Sequence, residues 1–252
     1  MPAPLVKICG LRHLEDLQLA AESGADLLGI ILAPSKRLVN LETAQSMGRW
    51  LRQYRGDTET SPGTEGAPPA GADAAVTWFQ DRAAELTRRR GPLLVGVFLD
   101  QPVDYIREVA AQIPLDLVQL HGREDIHLAA DIGHPVIKVF HMDETFSDYA
   151  TVATPGYHRV SLLDAKVAGP ASAQGGRGVT FDWSLTDPVR RAGQPFILAG
   201  GLNPRNVAQA VASATPWAVD VSSGVERDDG SLRKCPDKVR EFITSAKASL
   251  VA

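Results

Sequence analysis

Short apolar runs recur along the chain at 5–9, 27–32, 93–99, 117–120, 135–140, 159–163, 196–198 and 217–221. They are mostly Val, Ile and Leu, as parallel strands covered on both faces should be. The segments between them carry helical spacing. Val103, Ile106, Ala110 and Ile113 follow Pro102, a residue suited to a first helical turn. Asn203-Pro204 reads as an N-cap and first helical position for a helix bearing Val207 and Val211. Val239, Phe242, Ile243 and Ala246 form one apolar stripe near the end. Strand-like runs alternating with helices predict a (β/α)8 TIM barrel, with a doubly wound open sheet as the competing α/β architecture.

One stretch breaks the rhythm. Between 56 and 74 no large hydrophobic residue occurs, while Gly63, Gly66, Gly71, Pro62, Pro68 and Pro69 punctuate it. Such a composition cannot bury enough surface to offset ordering, so a flexible insertion within a single barrel domain is expected. Val76, Phe79, Ala83 and Leu86 then mark an amphipathic helix returning to the body. The basic run Arg88-Arg89-Arg90 at its end is explained by the helix dipole.

Bulk properties narrow the function. The 252 residues are 44% hydrophobic and 22% charged, enough for a sizeable core. A net charge of -4 gives no reason to expect nucleic acid or an anionic membrane as partner. No apolar run nears the roughly 18 residues of a membrane helix, and no signal peptide is recognised. Two cysteines make no disulfide framework, and a reducing cytoplasm is the simplest expectation. The sequence has no Cys-x-x-Cys or His-x-x-x-His spacing, no Gly-x-Ser-x-Gly elbow and no dinucleotide fingerprint, so neither metal nor cofactor is expected.

In a parallel barrel, chemistry collects at the C-terminal ends of the strands. Those ends supply Lys7 and Cys9, Arg37, Gln119 and His121, Asp164, Gly200 and Gly201, then Asp220, Ser222, Ser223 and Gly224. Strand parity puts Lys7 with Cys9, Gln119 with His121, and Asp220 with Ser222 on common sides. Gly200-Gly201 and Ser222-Ser223-Gly224 follow the seventh and eighth runs, the usual phosphate site of this barrel, and predict a phosphorylated small-molecule ligand. The Gly175-Gly176-Arg177-Gly178 segment is a candidate third wall. Cys235, beside Pro236, reads as a packing residue.

Lys-Ile-Cys-Gly at 7–10, Gln-Leu-His-Gly at 119–122, Leu-Leu-Asp at 162–164, Gly-Val-Thr-Phe-Asp-Trp at 178–183, Ala-Gly-Gly-Leu-Asn-Pro at 199–204 and Asp-Val-Ser-Ser-Gly-Val-Glu at 220–226 resemble phosphoribosylanthranilate isomerase, in the family's order and over almost the whole chain outside the insertion. The insertion and the Cys-Gly-Leu-Arg variant are closest in style to fungal members, where this barrel is commonly the C-terminal part of a multifunctional tryptophan-pathway polypeptide. Fusion to or association with other pathway domains is therefore an expectation, and Met1-Pro2-Ala3-Pro4 fits either a native start or a cut domain. The resemblance implies an Amadori rearrangement of N-(5-phosphoribosyl)anthranilate, with Cys9 as general base and Asp164 as general acid. It further implies that Arg37, or its neighbour Lys36, clamps the anthranilate carboxylate, that Gln119 and His121 line the site, and that Gly178 belongs to it. A thiol serving as base at neutral pH needs nearby positive charge, for which Lys7 is the first candidate. Asp220 is placed to pair with Lys7, as a structural ion pair or in a catalytic role. The rival enzyme reading is the aminoaldose isomerase of histidine synthesis, whose family resembles a two-aspartate pair where this chain has Cys9. From another class, the rival is a barrel that binds phosphometabolites without turnover.

Overall fold

A computed structural model describes residues 3–56, 71–165 and 180–248. Eight parallel strands close into a barrel in sequence order: β1 (Leu5–Ile8), β2 (Leu27–Ile31), β3 (Leu93–Phe98), β4 (Leu117–Leu120), β5 (Val136–Met142), β6 (Val160–Ala165), β7 (Phe196–Leu198) and β8 (Ala218–Val221). The ring shuts where β1 pairs with β8, setting Lys7 against Asp220 and Ile8 against Val221. That closure removes the open sheet from contention.

Alternation along the strands splits the core in two. Leu27, Leu93, Val95, Leu117, Ile137, Val139, Leu162 and Ile197 point inward and fill the barrel. Val6, Ile8, Leu28, Ile30, Val118, Leu163 and Val219 point outward against the helices. The outer layer includes α1 (Leu14–Glu22), α2 (Leu41–Arg55), α4 (Val103–Gln112), α5 (Ala129–Ile132), α6 (Tyr149–Val152), α7 (Asp187–Arg191), α8 (Val207–Ala214) and α9 (Pro236–Ala248). No described helix is long and apolar enough to cross a membrane.

α3 (Ala72–Thr87) is different. Its Ala83 and Leu86 join the cluster that fills the barrel interior. Glu85 pairs with Arg159 ahead of β6 at 3.1 Å, and Gln80 donates to the Gly193 carbonyl ahead of β7 at 2.9 Å. The helix therefore plugs the end of the barrel where the strands begin. A groove of about 510 Å³ lies there as well, lined by Leu5, Ala83, Phe196 and Trp217 among others, on the face away from the strand ends that carry Cys9 and Asp164.

Most of the expected insertion lies outside the described residues, and three other local expectations need correction. Gly56 closes α2 in the left-handed region at φ 71°, and helix has begun by Ala72. The basic run is not a dipole ornament alone, since Arg89 joins Arg55 on the buried Asp116 carboxylate, at 3.4 and 2.7 Å. The Asn203 carboxamide does accept from the Arg205 amide at 2.9 Å, yet regular helix starts only at Val207. Strands β5 and β6 also outrun their apolar runs, because polar His141 and Asp164 continue the ladder as register partners.

Candidate active site

Cys9 follows the last residue of β1, and its amide donates to the Val221 carbonyl at 2.8 Å. That bond seats the thiol against the barrel closure. A side chain on Gly29, next to it on β2, would place a Cβ 2.7 Å from Cys9 Sγ, so glycine is what leaves the sulfur its space. Lys7, one inward position earlier, is fully buried and holds Asp220 Oδ1 at 3.0 Å. Burial alone would lower the Lys7 pKa, but Asp220 and the Cys9 sulfur outweigh it and leave the ammonium raised. Burial pushes the Cys9 thiol up, and Lys7 pulls against that shift without cancelling it. A second ammonium, on the buried Lys234, also draws the Cys9 pKa down, although its own is lowered by burial.

Across the mouth, Asp164 near the end of β6 is only 5% exposed. Burial first, and the Asp220 charge second, raise its pKa to about 7. The carboxyl can therefore hold a proton near neutrality, as a general acid must. His121 stands beside it, with Nε2 at 3.5 Å from Asp164 Oδ2 and Nδ1 at 3.0 Å from the Gln119 carboxamide. Burial lowers the His121 pKa to about 3, so the ring is neutral. His141 packs edge-on against it, with ring centroids 5.4 Å apart, and donates to the His121 carbonyl at 3.0 Å. The sequence reading ended the fifth strand at 140 and so missed His141. Its signal was available, since it continues the inward alternation of Ile137 and Val139.

Cys9, Gln119, His121, Asp220 and Ser222 share a cavity of about 80 Å³ whose apolar wall includes Ile31, Val97 and Leu99. Above it lie the β7 and β8 loops. Gly200 and Gly201 both take positive φ, 86° and 63°, conformations that turn successive amides towards one side. Gly224 touches the Leu202 carbonyl so closely that any side chain there would collide, which brings the two loops together. Ser223 and Gly224 open a short 3-10 turn, and the buried Ser222 hydroxyl has no hydrogen-bond partner among the described residues. That hydroxyl lies against Gly10, and it and the glycine amides are donor types suited to an anion.

Arg37 is placed differently from the expectation of a free clamp. It is buried, and its Nε and Nη2 grip the two Glu226 carboxylate oxygens at 2.6 and 2.9 Å. It does not line the small cavity, though its stem lies against Gly10, the residue after the thiol. Burial would raise Glu226, but Arg37 and Lys234 outweigh it and hold that carboxyl low. Sequence reasoning missed Glu226 and Lys234 because nothing local marks a pairing that spans 189 residues. Lys36 is exposed, Cys235 is half-buried and unbridged, and Gly178 lies outside the described residues. No group of three potential metal ligands gathers among the described residues.

The family profile described as N-(5'phosphoribosyl)anthranilate (PRA) isomerase matches residues 59–245. A multifunctional tryptophan biosynthesis protein of Phycomyces blakesleeanus is 40% identical over 260 residues, covering 96% of this chain and 32% of the relative. The chain thus spans about a third of the length of such fungal relatives. The N-(5'-phosphoribosyl)anthranilate isomerase of Roseiflexus sp. (strain RS-1) is 35% identical over 245 residues, covering 97% of this chain and 98% of the relative. Among solved structures, a phosphoribosyl anthranilate isomerase in complex with reduced 1-(O-carboxyphenylamino)-1-deoxyribulose 5-phosphate superposes with a TM-score of 0.70 at 31% identity, covering 97% of this chain and 99% of that one. With a full-length isomerase matched end to end and the profile spanning most of the barrel, the chain belongs to the N-(5'-phosphoribosyl)anthranilate isomerase family of enzymes.

Proposed function

We propose that this chain converts N-(5-phosphoribosyl)anthranilate into 1-(2-carboxyphenylamino)-1-deoxyribulose 5-phosphate in tryptophan biosynthesis, with Asp164 as general acid and Cys9 as general base. The observation that carries this reading is the pairing of two opposite groups on one barrel mouth. One is a buried carboxyl with a pKa raised to about 7, and the other is a buried thiol beside the Lys7 ammonium. The related isomerase crystallised with a reduced carboxyphenylamino-deoxyribulose phosphate supports the substrate class.

The reaction needs no external oxidant or reductant. Asp164 protonates the furanose ring oxygen, the C1–O bond breaks and the nitrogen lone pair forms a Schiff-base cation. Cys9 removes the proton on ribose C2, whose acidity that cation raises, and the resulting enolamine tautomerises to the ketone. Lys7 stabilises the thiolate electrostatically, while Asp220 holds Lys7 in place and raises Asp164. Gly200, Gly201, Ser222, Ser223 and Gly224 receive the phosphate, and Gln119 and His121 line the reacting end. Arg37, with one edge of its guanidinium engaged by Glu226, presents its remaining N–H groups to the anthranilate carboxylate. Fusion to or association with other tryptophan-pathway domains fits the multifunctional fungal relatives, and the cytoplasm fits two unbridged cysteines.

The test is an assay with substrate generated in situ, followed by loss of anthranilate-type fluorescence. Cys9→Ser and Asp164→Asn should each lower kcat by about 10²–10⁴-fold. No wild-type rate above background would defeat the reading, and near-wild-type turnover in either variant would remove that residue from it.

A further inference from the structure

The contact between Gln119 and His121 sets a direction that the reaction above leaves open. A neutral imidazole carries one N–H, so its two ring nitrogens cannot both donate. Here Nδ1 faces the Gln119 carboxamide at 3.0 Å and Nε2 faces Asp164 Oδ2 at 3.5 Å. Two arrangements fit. In one, the Gln119 amide donates to Nδ1 and the ring proton sits on Nε2, aimed at Asp164. In the other, the carboxamide is turned over, Nδ1–H donates to Gln119, and the Nε2 lone pair faces Asp164.

Two observations separate them. In the first arrangement the atom left without a partner among the described residues is the Gln119 carbonyl oxygen, which is buried. In the second it is the amide nitrogen with its N–H groups, and a stranded buried donor is rarer and more costly than an under-satisfied carbonyl. Asp164 gives the other. A bare Nε2 would draw the acid's proton onto Oδ2, into a bond with the histidine. An Nε2–H directed at Oδ2 leaves that proton on Oδ1. This second oxygen lies beside Gly200, whose missing Cβ would stand 3.0 Å from it and nearer still to the Ala165 amide, which hydrogen-bonds the Asp164 carboxyl.

We propose that Gln119 is a positioning residue that fixes His121 as its Nε2–H tautomer, so that an N–H and not a lone pair faces Asp164 Oδ2 across 3.5 Å and the transferable proton stays on Oδ1. This rests on the reading of Asp164 as general acid. His121 neither gives nor takes a proton in the step, consistent with its pKa near 3. His141 fixes the ring from behind, because its Nε2–H is committed to the His121 carbonyl at 3.0 Å.

The experiment is long-range ¹H–¹⁵N correlation on ¹⁵N-histidine-labelled protein at neutral pH, with the His121 signals assigned by their loss in His121→Asn. The wild type should show a protonated Nε2 and a bare Nδ1. Gln119→Leu, which removes the donor, should populate the Nδ1–H form and lower kcat about tenfold, with KM changed by less than about threefold. Loss of packing alone would not move the tautomer. Nδ1–H in the wild type, or a wild-type tautomer and kcat in Gln119→Leu, overturns the inference. If Gln119→Leu does not fold, the wild-type spectrum alone decides. A wild type that shows Nε2–H without turnover defeats the functional reading and leaves the tautomer standing. Turnover with Nδ1–H defeats only the tautomer.

Discussion

Asp164 illustrates how one residue trades stability for chemistry. In the unfolded chain its carboxyl ionises near 3.8, whereas burial and the neighbouring Asp220 carboxylate raise it to about 7 in the fold. A carboxyl raised by folding binds its proton more tightly in the native state. Its ionisation therefore costs nothing below about pH 4, and the penalty grows as pH climbs towards 7 and is complete above that. The gap corresponds to roughly 4 kcal/mol as a ceiling, since relaxation and water entry reduce it. Asp164→Asn keeps the shape and cannot ionise. It should be more stable than the wild type at pH 8, with the advantage shrinking to nothing near pH 4, as read from urea midpoints across pH. A difference independent of pH would mean that Asp164 ionises in the fold as it does in water. Cys9 offers the complementary case. Its alternation with Lys7 was legible from the sequence, because period two is a property of the strand itself. The Lys234 ammonium that adds to Lys7 was not, since it arrives through an isolated antiparallel bridge to Glu226, far along the chain from Cys9.

At the scale of elements, α3 shows what periodicity can and cannot tell. The spacing of Phe79, Ala83 and Leu86 identified an amphipathic helix, and all three are buried. Amphipathicity says that a face is covered and not by what. The sequence predicted only a helix returning to the body, and in the fold Ala83 and Leu86 enter the interior cluster with Leu27, Leu93 and Val160. The helix earns that place through Glu85–Arg159 and Gln80–Gly193, contacts that no local pattern encodes. In this fold the end where strands begin governs stability and the opposite end governs chemistry. Leu86→Ala should therefore cost about 2–5 kcal/mol in unfolding free energy and leave kcat within about twofold at temperatures where the variant stays folded. Calorimetry and the isomerase assay check this together, and a large kcat loss with little change in stability would refute the separation. The ends of β5 and β6 carry the same lesson in reverse. Hydrophobicity stopped at 140 and 163, whereas the ladder runs on to Met142 and Ala165, because inward-facing polar residues near strand ends belong to the site and not to the core.

For the whole molecule, the barrel must be closed between chain segments that lie far apart in sequence. Eight alternating apolar runs were enough to predict the ring, since parallel strands with crossover helices curl one way. How its first and last parts are fastened was not legible. The β1–β8 ladder is reinforced by three charged ties: Lys7 to Asp220 at 3.0 Å, Asp16 to Arg233 at 3.0 Å, and Arg37 to Glu226. The last holds a third charge, because Glu226 is also 3.4 Å from Lys234, an ammonium only 1% exposed. One carboxylate thus serves two buried cations. Removing it takes the carboxylate partner from Arg37 and leaves Lys234 only the Ser222 carbonyl at 3.0 Å, so Glu226→Gln should destabilise the protein by about 3–5 kcal/mol, well above the cost of losing one hydrogen bond. Adding Arg37→Met should restore part of that loss, since one stranded cation has gone, and the double-mutant cycle should give a coupling of at least about 1 kcal/mol. Additive effects would mean that each cation finds other compensation and that the tie contributes nothing to closure. The same variant tests the link to function, for Arg37 is held by Glu226 along one guanidinium edge. If the opposite edge receives the substrate carboxylate, Glu226→Gln must also raise KM, about tenfold if one charge-assisted contact is lost, and an unchanged KM in folded Glu226→Gln would separate the tie from the clamp.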